Sequence, residues 1–215
     1  MISNLRICFI LVLAAFGAQA QEAITVLERR EVPLERPAAP AAHVLKLTLA
    51  YLDGTGWTPE AILGAVKESA GILGQCGVAM DSAELVRIGA PRRFHDFLTP
   101  VSRELATTLQ LRKPTIYFVT GTRQQPAFDA EAIGRGNSRT RPELADSVWV
   151  TRGTRDPGIA LAHELAHVLM DNGEHSDETG NLMRDDTAPD NTRISEAQCV
   201  RLRDTGTANG LIRPR

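Results

Sequence analysis

The chain has 215 residues and a formal net charge of −2 at pH 7. Its sequence pI is about 6.2. A chain so close to neutrality lacks the basic excess that nucleic acids and anionic membranes attract, so we expect neither as a partner.

The N-terminus has the pattern of a secretory signal peptide. Arg6 precedes an apolar run at residues 7–16, and Ala18 and Ala20 are small residues before a cleavage site. The run is shorter than the roughly 20 apolar residues that a membrane-spanning helix needs. We therefore predict that residues 1–20 are a signal peptide. The mature protein is expected to be secreted or periplasmic, with no stable membrane insertion after cleavage.

The segment at residues 21–42 is rich in proline and alanine. Its composition predicts an extended leader or a strand-like arm outside the core. The remaining residues, 43–215, have the length of one common domain, which we expect to be monomeric.

Two cysteines remain after removal of a signal peptide, Cys76 and Cys199. In an exported protein such a pair predicts a disulfide, whereas two free buried thiols are the alternative. Closing so long a loop would stabilise the fold by about 4–5 kcal/mol in the chain-entropy treatment.

The first predicted elements are a strand and a helix. Residues 44–52 are rich in β-formers, and Lys46 and Thr48 mark a polar face opposite a leucine face. Thr58 is a suitable N-cap for the helix that follows, and Gly77 is a suitable glycine after its end.

The middle of the chain continues the alternation of strands and helices. Residues 78–88 are predicted to form one strand, and residues 101–111 a helix that Pro100 interrupts upstream. The apolar run at residues 114–120 predicts a buried strand.

A polar loop follows at residues 121–142, with one predicted strand inside it and another after it. Within it residues 132–134 are expected to form a short edge strand, and residues 147–151 predict the next strand. Asp156 and Pro157 then have the residue types of an N-cap and a first helical position.

The helix that begins there carries His163, Glu164 and His167 in the order H-E-x-x-H. Two histidines four residues apart lie on one helix face, one turn apart, where both can hold one metal ion. Zinc in such a site acidifies a water molecule, and Glu164 would take the proton of that water.

A catalytic zinc site needs a third protein ligand and one open position. Asn172 and Gly173 both tolerate left-handed backbone and predict that the helix ends there, so that His175 can turn back toward the metal. Three acidic residues remain alternatives to His175: first Asp171, then Asp177 and Glu178.

The last predicted helix spans residues 195–206, where Ser195 and Gln198 form a capping-box pattern. The order of predicted elements indicates an α+β fold with a mixed twisted sheet, a helix that carries the motif and a C-terminal helix.

The pattern resembles the metzincin clan of zinc peptidases in its compact, matrixin-like form. The resemblance rests on the H-E-x-x-H helix, on His175 and on residues 180–183, Gly-Asn-Leu-Met. It implies that His163, His167 and His175 bind zinc, that Glu164 is the base and that Met183 forms a turn beneath the metal. It further implies that the edge strand near residues 132–134 lines the substrate cleft.

The chain departs from the pattern of that clan after the second histidine. In that clan a glycine is usual three residues after the second histidine, and the third ligand is usual six residues after it. Here Met170 holds the first of those positions and Gly173 the second. The displacement of the glycine to 173 and of the histidine to 175 predicts a helix almost one turn longer. No tyrosine follows Met183, so the tyrosine that stabilises an oxyanion in some members is absent.

Two functions are consistent with this pattern. The first is an exported zinc-dependent endopeptidase with a protein or peptide substrate. The second is a non-catalytic zinc-binding or protein-interaction module that retains the fold. A third interpretation keeps the enzyme but replaces His175 by Asp177 or Glu178 as a ligand.

Overall fold

The computed structural model describes residues 23–34 and 41–215. The predicted signal peptide, residues 1–20, lies outside the described residues. Within the described ranges, no helix combines the length and apolar character needed to cross a membrane.

The strands are short, and most belong to one sheet. In chain order they are β1 (Thr25–Pro33), β2 (His43–Leu45), β3 (Leu47–Leu52), β4 (Val78–Ala79), β5 (Ser82–Gly89), β6 (Asp96–Phe97), β7 (Thr115–Val119), β8 (Gly121–Thr122), β9 (Ala130–Ile133), β10 (Ser147–Thr151) and β11 (Ile212–Pro214).

Four α-helices accompany these strands: α1 (Pro59–Leu73), α2 (Thr99–Leu109), α3 (Pro157–Met170) and α4 (Glu196–Ala208). Thr58 caps α1 as predicted, because its side chain accepts a hydrogen bond from the Ala61 N–H. Gly77 has a φ of 68° and closes the short 3₁₀ turn after that helix, also as predicted.

The main sheet is mixed and has the strand order β1-β5-β3-β7-β10-β9. Its four central strands run parallel, whereas β1 and β9 pair antiparallel at the two edges. A second sheet has the order β11-β2-β4, and β6 pairs with β8. The predicted α+β class with a mixed sheet is therefore confirmed.

Both faces of the main sheet are covered, which corrects the predicted polar face of the first strand. Leu47 and Leu49 face the core shared with α1, α3 and α4, whereas Ala50 faces the core shared with α2. Thr48 is completely buried, and only Lys46, between β2 and β3, is exposed. Helix α2 shields the face on which the sequence predicted contact with solvent.

Two predicted boundaries are wrong. The strand expected at residues 78–88 is divided, because β4 joins the small sheet and β5 the main sheet. Pro100 does not interrupt the second helix but lies in its first turn. The N–H groups of the first turn have no partner within the helix, so the N–H that proline lacks is not needed there.

The N-terminal segment takes the strand-like form in the part that the structure describes. Strand β1 pairs with β5 along its length, and Val32 is buried in the core. The main sheet therefore extends beyond the boundary predicted at residue 43.

Cys76 and Cys199 form the predicted disulfide. It joins the 3₁₀ turn after α1 to the first turn of α4, and nearby bonds reinforce the junction. Arg203 donates to the Cys76 carbonyl oxygen at 3.0 Å, and Gln75 donates to the Thr192 carbonyl oxygen at 2.8 Å. The N-terminus of α4 is thus fixed to the body of the domain.

Candidate metal centre

Helix α3 carries the H-E-x-x-H motif through the interior of the domain. It packs against α1, α4, β9 and β10. His163 is 3% exposed and His167 8% exposed. The helix begins at Pro157 as predicted, but the Asp156 carboxylate makes no capping bond and pairs with Arg155 instead.

The end of α3 differs from the prediction. The helix stops at Met170, and the left-handed residue is Asp171, with a φ of 46°, rather than Asn172 or Gly173. The helix is therefore not extended by almost one turn. Asp and Asn tolerate this backbone conformation better than most residues with side chains, which allows the chain to turn at Asp171 without a glycine.

The turn brings three histidines together. The Nε2 atom of His167 lies 2.9 Å from that of His163 and 3.3 Å from that of His175. Zinc–nitrogen bonds of about 2.0–2.1 Å in a tetrahedral site hold ligand nitrogens about 3.4 Å apart. Among the described residues these three side chains could hold a metal ion, since their ligand atoms lie within 4.8 Å of one another.

The other ring nitrogen of each histidine faces an oxygen atom. His163 Nδ1 donates to the Leu182 carbonyl oxygen at 2.7 Å, and His167 Nδ1 donates to the Asn172 carbonyl oxygen at 2.6 Å. His175 Nδ1 lies 3.3 Å from Asp185 Oδ1. A proton held on Nδ1 leaves the lone pair of Nε2 free for a metal, and such partners orient the ligand rings.

Burial favours the neutral, metal-binding form of the two helix histidines. It lowers the pKa of His167 to about 4, and the neighbouring His163 acts in the same direction. Burial also lowers the pKa of His163, with a smaller contribution from His175. Both rings are therefore neutral donors near pH 7.

The turn at residues 180–183 is fixed by α4. The Asn181 side chain exchanges hydrogen bonds with Gln198 at 3.0 and 3.1 Å and accepts from the Met183 N–H at 2.9 Å. Gln198 belongs to the capping box at the start of α4, which confirms that prediction. The turn then directs the Leu182 carbonyl toward His163.

Met183 is buried within this turn. Its carbonyl oxygen accepts from the Ser176 N–H at 2.7 Å, beside His175. The same turn therefore contacts the ring of one helix histidine and the backbone next to the third histidine.

Glu164 lies between the helix histidines on an apolar helix. Burial, and to a smaller extent the charge of Glu131, raise the pKa of its carboxyl to about 8. The backbone N–H of Ala132 opposes the rise. A carboxyl with a raised pKa exchanges protons readily near neutral pH.

The site opens into a cleft of about 800 Å³. The edge strand β9 lies along this cleft and spans residues 130–133. It therefore begins two residues before the predicted start, and Gly134, predicted to belong to it, lies beyond its end. Six acidic residues line the cleft, and none of the described lining residues is Lys or Arg. The six are Asp129, Glu131, Glu164, Asp171, Asp185 and Asp186.

The acidic alternatives to His175 do not join the histidines. Asp171 accepts a hydrogen bond from the Gly136 N–H. The Glu178 side chain contacts Asn181 and Arg193. Asp177 is not part of the candidate metal-binding group among the described residues.

Sequence reasoning missed the groups that orient the three rings. The Leu182 and Asn172 partners are backbone carbonyls, which carry no residue-type signal. Asp185 is two residues beyond Met183 and had a detectable signal, since a carboxylate near a candidate metal-binding histidine is a common second partner.

No protein-family model and no curated protein matches the sequence. The fold resembles the crystal structure of metalloproteinase-II from Bacteroides fragilis, with a TM-score of 0.54 and 18% sequence identity. The matched region covers 82% of this chain and 57% of that chain. At such low identity the likeness concerns the fold alone, and that fold is one found in a metalloproteinase.

Proposed function

We propose that this protein is an exported zinc-dependent endopeptidase of the metzincin type. The observation that carries the proposal is the convergence of three histidine Nε2 atoms in a cleft that Glu164 also lines. His163, His167 and His175 would hold the metal, and Met183 would form the turn beneath it.

The residues of the chain have distinct roles in the proposed reaction. Zinc bound there would polarise the substrate carbonyl and lower the pKa of a water molecule. Glu164 takes a proton from the attacking water and returns one to the leaving nitrogen. The exposed edge of β9 binds the peptide backbone in an extended form, as an added strand.

The acidic cleft also favours a class of peptide. Five acidic residues besides Glu164, without a lining Lys or Arg, attract positively charged peptides more than negatively charged ones. A peptide with several Arg and Lys residues is therefore the best first probe of activity.

Export is supported by the disulfide and by the N-terminal sequence pattern. The Cys76–Cys199 bond is of a kind that persists mainly in oxidising compartments. Residues 1–20 have the order of charge, apolar run and small residues that directs secretion.

The alternative, a non-catalytic zinc-binding module, requires a fourth protein ligand that closes the site. Within the described ranges the metal-binding group contains three side chains. Asp171, one turn beyond His167, contacts Gly136 instead. These contacts favour an open fourth position and hence the enzyme.

The test is the Glu164→Gln variant, which preserves the shape of the side chain and removes the base. We expect zinc content to equal that of the wild type and cleavage of the basic peptide to fall by about 10²–10⁴-fold. Glu104→Gln is a matched control, because Glu104 is an exposed residue of α2 that pairs with Arg93. Zinc-loaded Glu164→Gln protein that cleaves as fast as the wild type would refute the mechanism.

A further inference from the structure

Asp171 occupies a backbone conformation that a glycine would adopt with less strain. Its φ is 46°, in the left-handed region, and its N–H closes the last turn of α3. A non-glycine residue is retained there at a conformational cost. A role for the side chain must therefore be sought in its contacts outside the helix.

The Asp171 carboxylate contacts the loop that follows the edge strand. Its Oδ1 atom accepts from the Gly136 N–H at 3.1 Å. A Cβ atom built on Gly134 would lie 3.1 Å from the same oxygen, so the backbone of Gly134 packs closely against the carboxylate. Two glycines separated by Arg135 let the loop approach this one side chain.

Four other contacts fix the same part of the chain. The Asp129 carbonyl oxygen, at the start of β9, accepts from the Thr151 N–H and the Thr154 hydroxyl. Arg135 donates to the Asp146 carboxylate and to Asn209. Of the contacts at the far end of β9, the one with Asp171 joins the strand to the helix that carries His163 and His167.

We propose that Asp171 is a positioning residue for substrate binding. Its carboxylate fastens the end of the edge strand to the end of the metal-binding helix and so sets the width of the cleft between them. The inference rests on the proposed function in one respect, namely that the peptide binds along β9.

Two variants separate the carboxylate contact from the backbone conformation. Asp171→Gly removes the acceptor and tolerates the left-handed φ, whereas Asp171→Asn keeps an oxygen acceptor and also tolerates that φ. We expect amide hydrogen exchange across residues 130–137 to become about tenfold faster in Asp171→Gly. Asp171→Asn should retain the protection of the wild type.

Kinetics with the zinc-loaded protein test the consequence for substrate. We expect Asp171→Gly to raise KM for the basic peptide by about tenfold, with a smaller change in kcat, because uniform substrate binding is weakened. Asp171→Asn should restore the wild-type KM. Zinc affinity should be unchanged in both variants, since neither removes a histidine.

Two results would overturn the inference. One is Asp171→Gly with wild-type exchange rates and KM, which would mean that the carboxylate contact does not hold the strand. The other is a parallel loss of zinc affinity and activity, which would mean that Asp171 acts on the ligands. Exchange is measured without substrate, so it tests the contact even if the proposed peptidase activity is absent.

Discussion

Helix α3 and the return segment, residues 171–194, each supply histidines of the candidate metal centre, but they are held in different ways. His163 and His167 belong to a regular helix in the core. The His175 side chain is 39% exposed, and its partner Asp185 is 91% exposed. The helix thus holds two histidine rings in fixed positions. The position of the third ring depends on contacts that the segment around His175 makes with Met183 and Asp185.

The first prediction compares the loss of a histidine from each region. His167→Ala should weaken zinc binding by about 3 kcal/mol or more. This is roughly a quarter of the binding free energy of a structural zinc site with four ligands. His175→Ala should weaken it less, because its exposed ring is less firmly oriented and water can replace it. Zinc affinity is measured by competition with a chelator of known affinity.

Asp185→Ala is the control for this comparison. It leaves His175 in place and removes only the exposed partner of its ring, so we expect a loss of about tenfold in zinc affinity. Equal losses for His167→Ala and His175→Ala would show that burial of the helix donors gives no advantage.

The second prediction concerns the stability of the metal-free protein at acid pH. The folded pKa of His167 is about 4, below an unfolded value of about 6.5. Between these values the unfolded chain binds the proton more strongly, so stability present above about pH 6.5 is lost as the pH falls toward 4. We expect His167 to contribute about 1–3 kcal/mol of this loss.

Urea denaturation of metal-free wild type and His167→Gln at several pH values measures that contribution. The variant should lose less stability between pH 6.5 and 4.5 than the wild type. Identical pH dependence in the two proteins would contradict a strong preference of the buried ring for its neutral form.

The third prediction addresses the support of the return segment by α4. Gln198→Ala removes the capping-box partner of Ser195 and both bonds to Asn181. We expect a loss of about 1–2 kcal/mol in the free energy of unfolding. Zinc affinity should also fall by about tenfold, because the turn orients the ring of His163.

Gln198→Glu is the matched control, since Glu also suits the capping box and still accepts from Asn181. It should lose less stability and less zinc affinity than Gln198→Ala. Unchanged zinc affinity in Gln198→Ala, despite lower stability, would show that α4 stabilises the fold without positioning the turn.

Local pattern predicted much of this fold. The strands at residues 114–120 and 147–151 and the caps at Thr58 and Ser195 follow from residue types a few positions apart. The division at residues 80–81 was not predictable in this way. It arises because β4 and β5 pair with different sheets, and strand pairing joins residues distant in sequence.

The end of α3 shows the same limit within the site. Asn172 and Gly173 carried the stronger local signal for left-handed backbone, yet Asp171 adopts it. Its carboxylate has a partner, the Gly136 N–H, that lies 35 positions away in the chain. Such a tertiary partner cannot be read from the residue types next to the helix end.

The sequence by itself determined the helix face that carries His163, Glu164 and His167, because helical periodicity is local. It also indicated His175 as the next donor. Only the tertiary structure decided where that helix ends, which carbonyls hold the rings, and how β9 lies along the cleft. The physical reason is that these features depend on backbone hydrogen bonds and packing between segments far apart in the chain, which residue type does not encode.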